Sequence, residues 1–490
     1  MARKQNTTAT YFNFLELGNV RCFGEGRRLD LTDENGNLSQ WTLILGDNGM
    51  GKTTLLQCLI WMRPVLIKFK EGTTADPLAP VNEGTFGCAL QDEENDLLEG
   101  ILRINGAPKI EITAEFSQGE NLVFGSSLKG QKIETKATAT FSSKRLLEVF
   151  DQHEKDIKKL GEKKLWEPFI IAYGANRQIG FQNTRNLNLD DPLANRLNEA
   201  TELYDAEERL IELNHAANEK ELRRNQRRQK SGGDEKNIRE SKEKKLLETF
   251  KLAVIEILPM KVSANAKIEI EAPKLVEGEL KKSVVKIRIN NVPTSLSDLS
   301  LGYKTTLAWT LDLAWRMFNR YPKSPNPLSE PAIVLIDEID LHLHPRWQRE
   351  IMSKLARVFE RTQFIATAHS PLMVQSMPNA NFAIVRKVSD EFVIENEPQK
   401  IKGWRVDQIL NSEYFDYPVS RPPEEEALFN KRSHLLLKIK RTAAEENRLQ
   451  ELQERIASLP TGPLPPHESD AEHLLRRATE LLEKHRSNEK

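Results

Sequence analysis

Apolar runs with no polar face punctuate this chain at wide intervals. Trp41–Leu45, Pro168–Tyr173, Ala332–Ile336 and Phe364–Ala368 are apolar at nearly every position, the pattern of strands buried on both faces of a sheet. Leu55–Met62 and Thr305–Phe318 read as helices. Lys267–Ile270 and Ser283–Ile289 read as further strands, and from there to about residue 400 strand and helix alternate, as in an α/β sheet. Between the first two buried strands, Thr85–Leu90, Glu99–Ile104, Lys109–Phe116 and Lys136–Phe141 look like strands, split by Asn105-Gly106 and Gln118-Gly119 turns. Ser142–Lys164 reads as a polar helix.

A different periodicity interrupts this alternation. Leu203, Ala206, Leu210, Leu213 and Ala217 keep a/d spacing before the pattern dissolves into a charged run at 219–230. Ser231-Gly232-Gly233-Asp234 breaks the helix, and a second charged helix spans Glu235 to Ile257. The hairpin is too short in heptads for a long coiled-coil arm. The organisation predicted is an α/β lobe in two halves, 1–192 (with a β-rich part) and 258–420, a helical hairpin insertion at 193–257, and a C-terminal helical extension at 421–490. The extension reads as two helices, about 424–458 and 468–486, joined by the proline-rich 460–466. Leu474, Leu475, Ala478, Leu481 and Leu482 give the last one an apolar face, for its own domain or for a partner.

Composition narrows the class. The 490 residues carry a net charge of −1, so no global field marks a nucleic-acid binder. No apolar stretch reaches the length of a membrane span, and the N-terminus lacks the apolar core of a signal peptide. Cys22, Cys58 and Cys88 show neither paired nor metal-ligand spacing. Together these features predict a protein of the reducing cytoplasm with no membrane partner.

The candidate chemistry sits at strand ends. Gly46-Asp47-Asn48-Gly49-Met50-Gly51-Lys52-Thr53-Thr54 follows a buried strand and opens a helix, the G-x-x-x-x-G-K-[ST] phosphate loop in its required setting. The glycines let backbone N–H groups wrap phosphates at a helix N-terminus, Lys52 can reach the β- and γ-phosphates of a nucleoside triphosphate, and the Thr53 hydroxyl can ligate Mg²⁺. Ala332–Ile336 ends in Asp337 and Glu338. Beside a phosphate loop, Asp337 would hold Mg²⁺ through water and Glu338 would polarise the attacking water; alone, the pair would read as solvated acids. Ser300 and Gly302, in Leu299–Lys304, offer a hydroxyl and N–H groups at a helix start, where Ser300 could equally be an ordinary N-cap. His369 ends the strand Phe364–Ala368, one helix and one strand after Glu338, which makes the two strands neighbours. Gly174–Gln178 is a loop leaving the end of a buried strand, a favoured place for function.

These motifs, in this order, resemble the ABC-type ATPase heads of the SMC/RecF/OLD group over about residues 10–62 and 290–400. Asn19–Phe23 looks like the group's N-terminal strand motif, Leu299–Tyr303 like its signature motif with Leu301 where glycine is common, and Ile339–Pro345, which contains Asp340, like its D-loop. The resemblance implies that ATP with Mg²⁺ binds between two heads, the phosphate loop of one facing Ser300 and Gly302 of the other. It further implies that Arg21 approaches the phosphates and that a glutamine, Gln178 or its rival Gln182, senses Mg²⁺ and water. The assembly is then at least a head-to-head dimer, extending up to a hexamer. A narrower resemblance, in Tyr173–Arg177 and Gly403–Leu410, is to stand-alone ATPases of bacterial anti-phage systems of the Septu and retron-associated kinds, with the PARIS ATPases as neighbours. It implies a separate nuclease or toxin subunit, HNH-type or TOPRIM-type, that the ATPase controls.

Two rival functions remain. A self-contained OLD-type nuclease needs a TOPRIM domain, and the chain after His369 has no Asp-x-Asp and little room for one. A RecF-type repair ATPase would use Arg223, Arg224, Arg227, Arg228 and Lys230 as a basic face for DNA phosphates, against which Glu219 and Glu221 argue for a solvated, charge-balanced face.

Overall fold

The computed structural model describes residues 8–67, 85–88, 109–119, 122–125, 131–142, 145–151, 168–179, 197, 201–203, 205–231, 242–258, 267–276, 279–289, 292–377, 379–388, 391–396, 404–410, 423–436, 438 and 442–459. The chain forms two compact units, Met1–Gly403 and Trp404–Lys490.

The first unit is built on two sheets. The central sheet has six strands in the spatial order Glu391–Asn396, Asn381–Val388, Trp41–Leu45, Thr362–Ala368, Ala332–Ile336 and Ile170–Tyr173. All neighbours are parallel except the antiparallel edge strand Glu391–Asn396. Trp41–Leu45, Ala332–Ile336 and Thr362–Ala368 are buried at every position. Covering both faces of a parallel sheet is what their uninterrupted apolar sequences require. Trp41 and Phe364 stack across adjacent strands with centroids 4.3 Å apart.

The second sheet is antiparallel, in the order Arg27–Asp30, Ala9–Gly18, Lys109–Gly119, Gln131–Ser142 and Arg145–Asp151. Tyr11, Phe12, Leu15 and Phe116 point into a core shared with Leu55, Leu59, Ile333 and Ile365. A bulge between Phe12 and Phe14 is satisfied from the central sheet. The Gln363 amide accepts from Phe12 N at 2.9 Å and donates to Phe12 O at 2.8 Å, so this buried glutamine pairs both backbone groups of Phe12 at the bulge.

Two local expectations change. Ser142–Lys164 is predicted as a helix, but Arg145–Asp151 is a strand paired antiparallel with Gln131–Ser142. The open N–H and C=O groups of the long strand's edge outweigh the segment's weak helical pattern. The remainder of that segment lies outside the described residues, as do Glu99–Ile104 and the 468–486 helix. In the second unit, the single helix predicted at 424–458 is two, Pro423–Leu436 and Ala443–Ala457. Thr442 and Glu445 form a reciprocal capping box that starts the second one.

The insertion comprises the helices Ala206–Ser231 and Lys242–Ile257, which pack on each other. Leu203, Ala206, Leu210, Leu213 and Ala217 are all buried, although Leu203 belongs to the strand Thr201–Leu203 that precedes the helix. On the polar side Arg223 pairs with Glu219, Lys220 with Glu243 and Lys244 with Glu221. The side chains of Arg224, Arg227, Arg228 and Lys230 lie outside the described residues. Among the described residues no helix is long and apolar enough to cross a membrane.

Candidate functional site

Parallel pairing sets the carboxyl ends of the central strands side by side. Ile336 lies in register with Tyr173 and Ala366, and Ala368 with Leu45. Gly46, Asp337, His369 and Gly174, the next residue of each strand, therefore leave the sheet at one edge, where ligands meet open α/β sheets.

The phosphate loop owes its shape to two glycines. At Gly46 (φ 144°) a Cβ would lie 2.3 Å from the Val385 carbonyl oxygen, and at Gly51 (φ 85°) it would lie 2.5 Å from Cys22 Sγ. The loop closes around Lys52, whose Nζ donates to the carbonyls of Gly46 at 2.8 Å and Asp47 at 2.7 Å. Burial pushes the Lys52 ammonium below the ordinary lysine range, against the opposing pull of Asp337, Glu338, Asp47 and Asp340.

The carboxylate strand meets this loop through hydroxyls. Thr53 Oγ1 donates to Asp337 Oδ2 at 2.7 Å, and Thr367 Oγ1 donates to Asp337 Oδ1 at 2.5 Å. Thr367 Oγ1 also accepts from Glu338 N at 2.7 Å. Glu338 sits in the left-handed region (φ 48°) and brings its Oε1 to 3.9 Å from His369 Nε2. Arg21 Nη1 donates to Thr54 Oγ1 at 3.1 Å. The structure thus brings Arg21, Asn48, Gly49, Gly51, Lys52, Thr53, Thr54, Asp337, Glu338 and His369 around one cavity of about 400 Å³, with Cys22 and Met50 completing its lining.

Among the described residues no cluster of three or more His, Cys, Asp or Glu side chains could hold a metal ion by itself. Mg²⁺ arriving with a polyphosphate needs only one or two protein oxygens, and the Thr53 hydroxyl with the Asp337 carboxylate is such a hard-oxygen pair. The residues present therefore fit Mg²⁺ bound with a nucleotide.

Other candidates lie elsewhere. Asp340 is outside the cavity lining, and its Oδ2 accepts from His369 N at 3.1 Å and Ser370 N at 2.8 Å. It fixes the turn that carries His369. Ser300 and Gly302 are also outside this cavity. Ser300 occupies the N-cap position of the helix Leu301–Arg320 but makes no side-chain capping bond, and it is exposed. Gly302 is buried against the loop that carries His342, where a Cβ would lie 2.0 Å from the His342 carbonyl oxygen. Gln178 has its backbone in the strand Arg177–Ile179, paired with Glu202, while its side chain and all of Gln182 lie outside the described residues.

The sequence places Arg177 in the loop Gly174–Gln178 and in the Tyr173–Arg177 motif but gives it no task of its own. Its Nη1 donates to Asp337 O at 3.1 Å and its Nη2 to Glu338 O at 2.8 Å. Because these acceptors are backbone carbonyls, no pairing pattern in the sequence could have identified the contact. The available signal was a lone arginine in a loop leaving a buried strand.

The chain matches a family model and several known proteins. The family model described as AAA ATPase domain matches residues 11–374. A "Retron Ec83 probable ATPase" of Escherichia coli is 38% identical over 136 residues, 28% of this chain and 24% of that protein. A "Septu protein PtuA" of Bacillus mycoides (strain KBAB4) is 33% identical over 169 residues, 34% of this chain and 23% of that protein. The matched stretch spans about a quarter of the length of these curated relatives. Among solved structures, an SMC head domain from Thermotoga maritima aligns over 79% of this chain and 98% of that chain with 13% identity and a TM-score of 0.39.

Proposed function

The chain belongs to the AAA ATPase domain family, and on that premise we propose that it is the Mg²⁺-dependent ATPase subunit of a bacterial anti-phage defence complex. In this reading it is a nucleotide-controlled scaffold that assembles with a separate nuclease and regulates it. The observation that carries the ATPase chemistry is the convergence of Lys52, Thr53, Asp337, Glu338 and His369 around one cavity. The names of the retron and Septu relatives support the ATPase activity and the defence role, and the separate effector follows from the resemblance carried by Tyr173–Arg177 and Gly403–Leu410.

Each residue then has a task. The loop N–H groups of Gly46, Asn48, Gly49 and Gly51 cradle the phosphates, Lys52 neutralises the β- and γ-phosphates, and Arg21 and Thr54 close the same side. Thr53 and Asp337 would hold Mg²⁺, which would supply charge neutralisation at the phosphates. Glu338 takes the proton of the attacking water, and His369 contacts the γ-phosphate. A glutamine, Gln178 or its rival Gln182, would sense the water and Mg²⁺, as the resemblance implies. Ser300 and Gly302 meet the phosphates bound to a second head, and Asp340 lies in the loop beside that seam. The exposed, uncapped Ser300 hydroxyl suits this role in trans.

Glu338→Gln tests this reading. It is expected to bind ATP with wild-type affinity, to lose turnover, and to accumulate as an assembly of at least two chains in light scattering after size exclusion. Wild-type turnover in this variant would remove Glu338 from its role, and a monomer at saturating ATP would remove the head-to-head assembly.

A further inference from the structure

Glu338 has an unfavourable backbone. A side-chain-bearing residue at φ 48° persists only where its surroundings over-determine it. Its N–H is held by Thr367 Oγ1, and its carbonyl accepts from Leu341 N at 3.1 Å and from Arg177 Nη2 at 2.8 Å. The other arm of the same guanidinium takes the Asp337 carbonyl at 3.1 Å. One rigid fork therefore spans two consecutive carbonyls, fixing the peptide plane between the two acids.

We propose that Arg177 is the positioning residue for Glu338: its two-carbonyl grip holds the left-handed turn that aims the Glu338 carboxylate into the cavity. This rests on the ATPase reading given above.

Arg177 is well placed for that task. It does not line the cavity, so it acts on the acids from behind without touching the nucleotide. Its position is set by a short parallel pairing in which Arg177 lies opposite Thr201, and by Gly174, where a Cβ would come within 2.8 Å of the Leu197 carbonyl oxygen. Burial pushes its guanidinium down to about 10, with Asp337, Glu338 and Asp340 pulling the other way, so it stays charged at neutral pH. No other described cation has its two terminal nitrogens on these carbonyls.

The test uses Arg177→Gln and Arg177→Lys in the full chain, alone and combined with Glu338→Gln. Arg177→Gln is expected to keep Mg·ATP affinity and KM near wild type while kcat falls on the order of a hundredfold, the cost of misplacing a reacting group by about 1 Å. Arg177→Lys keeps the buried charge but offers a point donor that cannot span both carbonyls, so its kcat is expected to fall nearly as far. It also keeps the test decisive should the glutamine variant not fold. In the Glu338→Gln background, where turnover is already lost, Arg177→Gln is expected to leave Mg·ATP affinity at the Glu338→Gln level, because its task is confined to aiming the Glu338 carboxylate. Wild-type kcat in either single variant would overturn the proposal, as would a loss of Mg·ATP affinity in the double variant relative to Glu338→Gln. A wild-type chain without turnover would remove the ATPase reading and this inference together, whereas an active wild type matched by Arg177→Gln would remove only the inference.

Discussion

Thr53 Oγ1 donates a 2.7 Å hydrogen bond to Asp337 Oδ2 across 284 residues of sequence. With Thr367 Oγ1 on the other carboxylate oxygen, Asp337 is held by a hydroxyl on each side. The pair joins the phosphate loop to the carboxylate strand and sets the oxygens that Mg²⁺ would meet. Thr53→Ala is therefore expected to weaken Mg²⁺ binding in the presence of nucleotide by about 10- to 100-fold. Thr53→Ser is expected to retain it. Titration of Mg²⁺ at fixed nucleotide concentration distinguishes the two, and an unaltered Mg²⁺ requirement in Thr53→Ala would count against the assignment.

Gly302 inverts a common expectation. In an unobstructed helix, glycine to alanine stabilises by up to about 1 kcal/mol. Here the added methyl would lie 2.0 Å from the His342 carbonyl oxygen, a backbone atom in a loop already at φ 63°. Gly302→Ala is expected to lower stability by about 1–3 kcal/mol, the usual cost of overpacking. Thermal denaturation of the nucleotide-free chain reads the sign directly; a raised melting temperature would show that the two segments are not in contact.

Tyr173, on the strand Ile170–Tyr173 beside the carboxylate strand, ties that edge of the sheet to the helix that begins after Ser300. Its hydroxyl donates to Asp312 Oδ2 at 2.9 Å, and the same oxygen accepts from Arg316 Nε at 2.7 Å. Tyr173→Phe removes a donor from a buried carboxylate and is expected to cost about 1–3 kcal/mol. Burial, followed by the charge of Asp312, raises the Tyr173 phenol well above its ordinary range. A group whose folded pKa is raised contributes fully below its unfolded value and loses that contribution only above it. The difference between wild type and Tyr173→Phe is thus expected to be constant from about pH 6 to 9 and to shrink above about pH 10. Denaturant melts across this range would show it, and a difference that varies between pH 6 and 9 would contradict it.

The parts of this molecule legible in the sequence are those where one residue type is demanded by its surroundings. Gly46 and Gly51 tolerate no Cβ, and the strand ending in Asp337 is apolar at every preceding position. The adjacency of the Asp337 and His369 strands followed from the short helical connection between them, which is read from the sequence as one helix and forms two, Pro345–Gln348 and Ile351–Val358. What stayed hidden depends on backbone partners. The strand Arg145–Asp151 forms because a neighbouring edge is open, which its own polar sequence does not announce. Arg177 acts on carbonyls, which every residue carries. The capping box that splits the C-terminal helix needed Thr442 and Glu445 to be read together, inside a run that is helical by propensity on both sides.

Equilibrium titration of a fluorescent ATP analogue with Mg²⁺ into the wild-type chain and Lys52→Ala is the most direct test of the whole account. Lys52 Nζ sits inside the loop on two carbonyls, so its removal deletes the cation at the cavity and the two hydrogen bonds that close the loop. Saturable binding by the wild type, weakened at least about tenfold in Lys52→Ala, is the expected result. Equal affinity in the two proteins would mean that the nucleotide, if bound at all, is held somewhere other than the cavity between Lys52 and Glu338.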